Sequence, residues 1–156
     1  MEREIAEVVR EHSWYVADTY DGSPPFLYTI GLLQSWSHPE LVLFGLEPSK
    51  GHRILSTIVR EIRNGQTFRE AGSYSDILKG DLQVGIRRVD PSQHAVYLGY
   101  AMGYVRFIDR IGELEAVQVF WPDKTGKFPY DVGCSLDVVQ CQPRLDLALT
   151  PSDTEQ

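Results

Sequence analysis

The chain has 156 residues, 42% of them apolar and 24% charged, with 22 acidic against 15 basic side chains and a formal net charge of −7. That size and balance suit one soluble core and argue against a disordered or membrane-embedded chain. They also exclude nucleic acid as an expected partner, since neutralising phosphates needs a basic stripe, and here Arg87-Arg88 is the only adjacent basic pair.

Met1-Glu2-Arg3-Glu4-Ile5 carries acids where an export signal has a basic start. With no apolar run near the roughly 20 residues of a membrane helix, a cytoplasmic protein without a membrane partner is expected. Ile5, Val8 and Val9 recur at helical spacing between charged residues and predict an amphipathic helix ending near His12-Ser13. Trp14 to Tyr20 reads as a strand, Asp21-Gly22-Ser23-Pro24-Pro25 as a turn and Phe26 to Leu33 as a returning strand, which together predict a hairpin. After the polar stretch Gln34 to Pro39, the apolar run Glu40 to Leu46 has the length of a buried central strand.

Glu47-Pro48-Ser49 marks the start of a helix whose stripe is Ile54, Leu55, Ile58, Val59 and Ile62, and Asn64-Gly65 closes it. Thr67-Phe68 suggests a short strand, Ala71 to Gly80 a loop with one helical turn at Ser75 to Leu78, and Leu82 to Val89 a strand stopped by Asp90-Pro91. Ser92 would cap a helix running through Met102. Glu115 to Trp121 alternates as the last long strand, with Ala116, Gln118 and Phe120 on one face and Val117, Val119 and Trp121 on the other. Pro122 to Asp131 is a loop rich in breakers; Val138-Val139 and Leu145 to Leu149 read as extended, and residues 150–156 as a polar tail. Cys134 and Cys141 fit neither a disulfide-dense scaffold nor a CxxC motif and are expected as free, partly buried thiols. The order of elements predicts a single α+β domain over residues 1–149, with a mainly antiparallel sheet and flanking helices.

Three stretches carry groups suited to chemistry. In Tyr28-Thr29-Ile30-Gly31-Leu32, Tyr28 and Thr29 offer hydroxyls on opposite strand faces, and Gly31 permits a bulge or a close backbone approach. In Trp36-Ser37-His38-Pro39-Glu40, His38 sits in a loop where an imidazole can titrate near neutral pH, with Glu40 able to orient it if the chain turns at Pro39. In the third stretch, Trp121 to Asp131, Trp121 and Tyr130 offer apolar walls, Asp123 a polar group and Lys127 a cation for an anionic ligand. His38 and Asp123 are the catalytic candidates. No metal site is expected, because His12, His38, His52 and His94 are scattered without ligand spacing, and no serine elbow or glycine-rich phosphate loop occurs.

Trp14-Tyr15-Val16, Tyr28 to Leu32 (YTIGL), His38 to Leu41 (HPEL), Phe44-Gly45-Leu46 and Trp121-Pro122-Asp123 followed by Lys127 to Asp131 (KFPYD) together resemble a bacterial domain-of-unknown-function family, the 4262 family. The resemblance spans Trp14 to Asp131 and marks those residues as a shared site without supplying a mechanism. A looser similarity links the hairpin, apolar strand and following helix to flavin-reductase-type split barrels. It implies a split-barrel-like sheet, FMN (flavin mononucleotide) held by Tyr28 to Leu33 with Ser49 to His52 near its phosphate, and a homodimer; only Lys50 and Arg53 offer charge for that phosphate. Three functions follow as expectations. The leading one is small-molecule binding in a pocket built from the three stretches; the others are an FMN-dependent oxidoreductase and a protein-interaction module using the aromatic loop.

Overall fold

The computed structural model describes residues 1–19 and 22–150. Tyr20 and Asp21, at the junction of the first strand and its turn, and the tail beyond Thr150 lie outside the described residues. Helix α1 (Glu2–His12) buries Ile5 and Val9 and ends where Ser13 turns left-handed at φ 77°, its N–H closing on the Val9 carbonyl. β1 (Tyr15–Thr19) and β2 (Phe26–Ile30) pair antiparallel from Tyr15 opposite Ile30 to Thr19 opposite Phe26, forming the predicted hairpin. β2 then pairs antiparallel with β3 (Glu40–Phe44).

The 16-residue α3 (Pro48–Arg63) starts and stops where its proline and Asn64-Gly65 predict, and follows the five-residue α2 (Leu32–Trp36). Beyond it come β4 (Gly72–Tyr74), β5 (Val84–Arg88), α4 (His94–Tyr97), α5 (Gly99–Phe107), β6 (Ala116–Phe120) and α6 (Leu136–Cys141). The six strands lie in the order β1-β2-β3-β6-β5-β4. The central pair β3–β6 is parallel, with Glu40 opposite Ala116; the flanking pairs are antiparallel.

Both faces of this sheet are covered. Leu41, Leu43, Val84, Ile86, Val117 and Val119 pack against the Ile54–Leu55–Ile58–Val59–Ile62 stripe of α3. On the opposite face Tyr28, Ile30, Val42, Phe44 and Ala116 meet Ile5 and Val9 of α1 and Leu98, Ala101 and Tyr104 of the α5 region. All five residues of β3 and of β6 are therefore buried. Two helical layers bury the apolar faces without the sheet curling on itself. The sheet is open, with β1 and β4 as its edges, so the fold is α+β, and the barrel-like closure implied by the split-barrel similarity does not occur.

Other departures have local causes. Residues 32–36, read as strand end and polar loop, form α2, and the helix expected from Ser92 to Met102 is divided. Asp90, rather than Ser92, caps a 3-10 turn at Pro91–Gln93, and Leu98 (φ −112°, ψ 39°) interrupts the path between α4 and α5. Thr67-Phe68 forms no strand, and β4 lies instead within the expected 71–80 loop. Val138-Val139 lies in α6 rather than in an extended segment.

Beyond α6 the chain is strapped to the sheet by amide side chains. Gln118 donates to the Pro143 carbonyl (2.7 Å) and accepts from the Leu145 N–H (2.9 Å). Gln142 accepts from the Trp121 N–H (3.0 Å) and donates to its carbonyl (2.9 Å). Cys134 and Cys141 are free and partly buried, as expected.

Candidate functional site

The first two stretches meet at one end of β2 and β3, where their polar groups satisfy one another. Glu40 is 2% exposed. Its Oε1 accepts from the Thr29 hydroxyl (2.8 Å) and the Leu32 N–H (3.2 Å), and its Oε2 from the N–H groups of Gly31 (3.1 Å) and Leu33 (3.3 Å). The carboxyl thus takes up the orphan amides at the start of α2. Burial pushes its pKa up to about 7, opposed by the Thr29 hydroxyl and those amides. Thr29 Oγ1 also accepts from the Leu41 N–H at 2.9 Å, locking β2 to β3 where the regular ladder ends.

Gly31 stands at φ +111°, where an added Cβ would come within 2.8 Å of Val9 Cγ2 and 3.1 Å of the Ser13 carbonyl oxygen. Tyr28, on the opposite face, accepts the Tyr100 N–H at 3.0 Å, and burial pushes its phenol up to about 12. His38 has one tautomer available. The Pro39 carbonyl, 2.7 Å from Nδ1, can only accept, so Nδ1 carries the proton and Nε2 accepts the Phe68 N–H at 2.9 Å. Burial lowers the His38 pKa and keeps the ring neutral at pH 7. The crevice beside Glu40, under Tyr104 and Ile108, has no room for a water molecule.

The third stretch lies at the other end of the sheet. Glu40 opens β3 and Phe44 closes it, a span of about 13 Å at roughly 3.3 Å per residue, and Trp121 sits at the Phe44 end, its indole N–H donating to the Phe44 carbonyl at 2.7 Å. Asp123 organises its own loop. Its Oδ1 accepts from the Thr125 hydroxyl (2.7 Å) and the N–H groups of Thr125 (2.9 Å) and Lys127 (3.0 Å), and its Oδ2 from the Ser135 N–H (3.0 Å). The Thr125 hydroxyl and then the Lys127 amide hold its carboxyl well below the usual range.

The rings of this loop turn inward. Tyr130 stacks on Phe128 (5.4 Å) and stands edge-on to Phe120 (5.2 Å), with the Arg87 guanidinium 3.9 Å from its ring centre. Gly85 leaves the space for this packing, because a Cβ there would overlap the Tyr130 hydroxyl. The exposed tip, Lys124 to Lys127, is polar.

A cleft opens beside Trp121, at the C-terminal ends of the parallel pair β3–β6 and against the first turns of α3. Sheets with parallel strands present ligand sites at such ends. The cleft's more apolar lobe, about 380 Å³, is lined by Leu46, Ile54, Trp121, Pro122, Ile77, Leu78 and Leu82 together with Lys50, Arg53, Thr57 and Lys79. The adjoining lobe, the larger at about 600 Å³, shares Leu46, Lys50, Trp121 and Pro122, and adds Asp123, Lys124, Thr125, Ser135, Asp137 and Val138. Among the described residues no group of three or more His, Cys, Asp or Glu side chains could hold a metal.

The residues singled out from the sequence therefore do not surround one cavity. Thr29, Gly31, His38 and Glu40 share the closed end of the sheet, Tyr28 stands mid-strand against Tyr100, Trp121 and Asp123 line the cleft, and Lys127 and Tyr130 line neither of its lobes. Of the stretches assigned to FMN, Tyr28 to Leu33 runs from the middle of β2 to the Glu40 end, and Ser49 to His52 opens α3, where Gly51 packs against Leu27 of β2 and the His52 ring lies 6.3 Å from that of Trp14. Sequence reasoning missed Ile77, Leu78, Lys79 and Leu82, which come from an irregular loop. The available signal was Lys50, Arg53 and Thr57, spaced to share one side of α3. A family model described as "Domain of unknown function (DUF4262)" matches residues 8–135.

The chain belongs to the DUF4262 family. The region matched by DUF4262 takes in both the Glu40 cluster and nearly all of the cleft. No curated protein and no solved structure matches the chain.

Proposed function

We propose that this domain binds a small molecule with an apolar body in the cleft beside Trp121. The observation that carries this reading is the cleft itself. Its more apolar lobe, the main one for an apolar ligand body, is about 380 Å³, within the usual range for ligand pockets, roughly 300–1,000 Å³, and is walled mainly by apolar and aromatic side chains with few polar groups. One wall is fixed in advance, because the Trp121 indole is tied to the Phe44 carbonyl and its backbone to Gln142. A wall that need not be ordered on binding lowers the entropic cost of association. Asp123 serves the site by holding the loop that follows Trp121 in shape. His38 and Glu40, spent on backbone groups at the other end of β3, serve the fold.

The test uses ten-carbon probes: decanoate, decyl phosphate, decanol and decylammonium, titrated by calorimetry. At least one should bind the wild-type protein with the negative heat-capacity change of apolar burial. Thr57→Phe, which places a ring in the main lobe, should weaken that binding by about tenfold or more while leaving the far-ultraviolet circular dichroism unchanged. No binding by any probe, or binding indifferent to Thr57→Phe in a folded protein, would contradict the reading.

A further inference from the structure

The cleft's charge is opposite to that of the molecule. In a chain with 22 acidic and 15 basic residues, the main lobe is lined by Lys50, Arg53 and Lys79 and by no carboxylate. Among the described residues these cations take part in no ion pair, whereas Arg69, Arg87, Arg110 and Arg144 each face a carboxylate. The nearest acid in sequence to Lys50, Glu47, accepts from the Ser49 hydroxyl at 3.2 Å and does not line the lobe. Lys50 and Arg53 also stand in the first turns of α3, whose unpaired amides and aligned peptide dipoles add positive potential. The adjoining lobe, by contrast, carries the carboxylates of Asp123 and Asp137 beside Lys50 and Lys124, so the field favourable to an anion is that of the main lobe.

We infer that the ligand of the Trp121 cleft is an amphiphilic anion, a compact carboxylate or phosphate head on an apolar body, with the head at Lys50, Arg53 and Lys79 and the body against Trp121 and Leu78. This rests on the cleft being a binding site, as proposed above. Single exposed charge pairs contribute little, but three cations lining a lobe that holds no carboxylate should together favour an anion by about tenfold over an equally long neutral molecule. Salt should erode that preference, because the cations are solvent-exposed.

The calorimetric series separates this inference from the reading beneath it. At low salt decanoate or decyl phosphate should bind about tenfold tighter than decanol, with decylammonium the weakest; the order of the two anions tells a carboxylate from a phosphate head. Replacing Lys50, Arg53 and Lys79 together by Gln should abolish the preference, bringing the anions to the affinity that decanol has for the same variant. Equal binding of anions and decanol, preference for decylammonium, or an anion preference that survives the triple substitution would overturn the inference. If those results come with Thr57→Phe still weakening every probe, the cleft remains the binding site and only its charge selectivity is wrong; if Thr57→Phe affects none, both fall.

Discussion

His38, a catalytic candidate in the sequence, and Glu40, read as able to orient it, show how polar side chains that suggest a site can be spent on the backbone in the fold. Glu40 meets four donors and His38 bridges the Pro39 carbonyl and the Phe68 amide; a buried group left without such partners would cost about 1–3 kcal/mol. Their titrations have opposite signs. Burial raises the native Glu40 pKa to about 7 from the ordinary 4.5, so the native state binds more protons between those values. Its contribution to stability falls as pH rises through that window and is level above it. His38, with its pKa lowered from 6.5, contributes stability that is present above about pH 6.5 and is lost as pH falls below it.

Glu40→Gln removes only the first effect. In urea denaturation across pH 4.5 to 7, the stability of wild type relative to Glu40→Gln should fall by roughly 3 kcal/mol with rising pH. A difference constant across that range would show that Glu40 titrates like an exposed carboxylate.

At the scale of elements, the latch at Gly31 joins α1, β2 and α2. Gly31→Ala imposes a side chain on a left-handed backbone and drives a methyl into Val9 and the Ser13–Trp14 backbone. It should destabilise the protein by about 2–4 kcal/mol, read as a lower urea midpoint with an unchanged m-value; a cost under about 0.5 kcal/mol would mean that the helix shifts freely.

The same latch explains what the sequence concealed. α3, β3 and β6 were legible because each carries its own signal, a long stripe bounded by Pro48 and Asn64 or a short apolar run. α2 was not, since its five residues are held by a carboxylate that follows them in sequence at Glu40. α6 was hidden by the β-branched pair Val138-Val139. The hairpin and the mainly antiparallel α+β character followed from local patterns, whereas the parallel β3–β6 pairing joins strands far apart in sequence and left no local trace.

For the molecule as a whole, the consequence of that parallel pairing is a division of labour between the two ends of the sheet. The YTIGL and HPEL motifs meet at the N-terminal end of β3 and close it; the stretch beginning at Trp121 leaves the C-terminal end of β6 and opens a cleft there. Trp121 and Asp123 could be picked out as site residues because aromatic and turn-forming residues stand out in a loop. Lys79 and Leu78 could not, because the cleft exists only once α3, the 75–82 loop and Trp121 are brought together.

The most direct measurement of which end binds is an amide chemical-shift map of the protein titrated with decanoate. The account predicts saturable shifts at Leu46, Lys50, Arg53, Ile77 to Lys79 and Trp121, with the amides of Gly31 to Leu33 and Phe68 unmoved. Shifts centred on Gly31 to Glu40, or none at the Trp121 cleft, would contradict it.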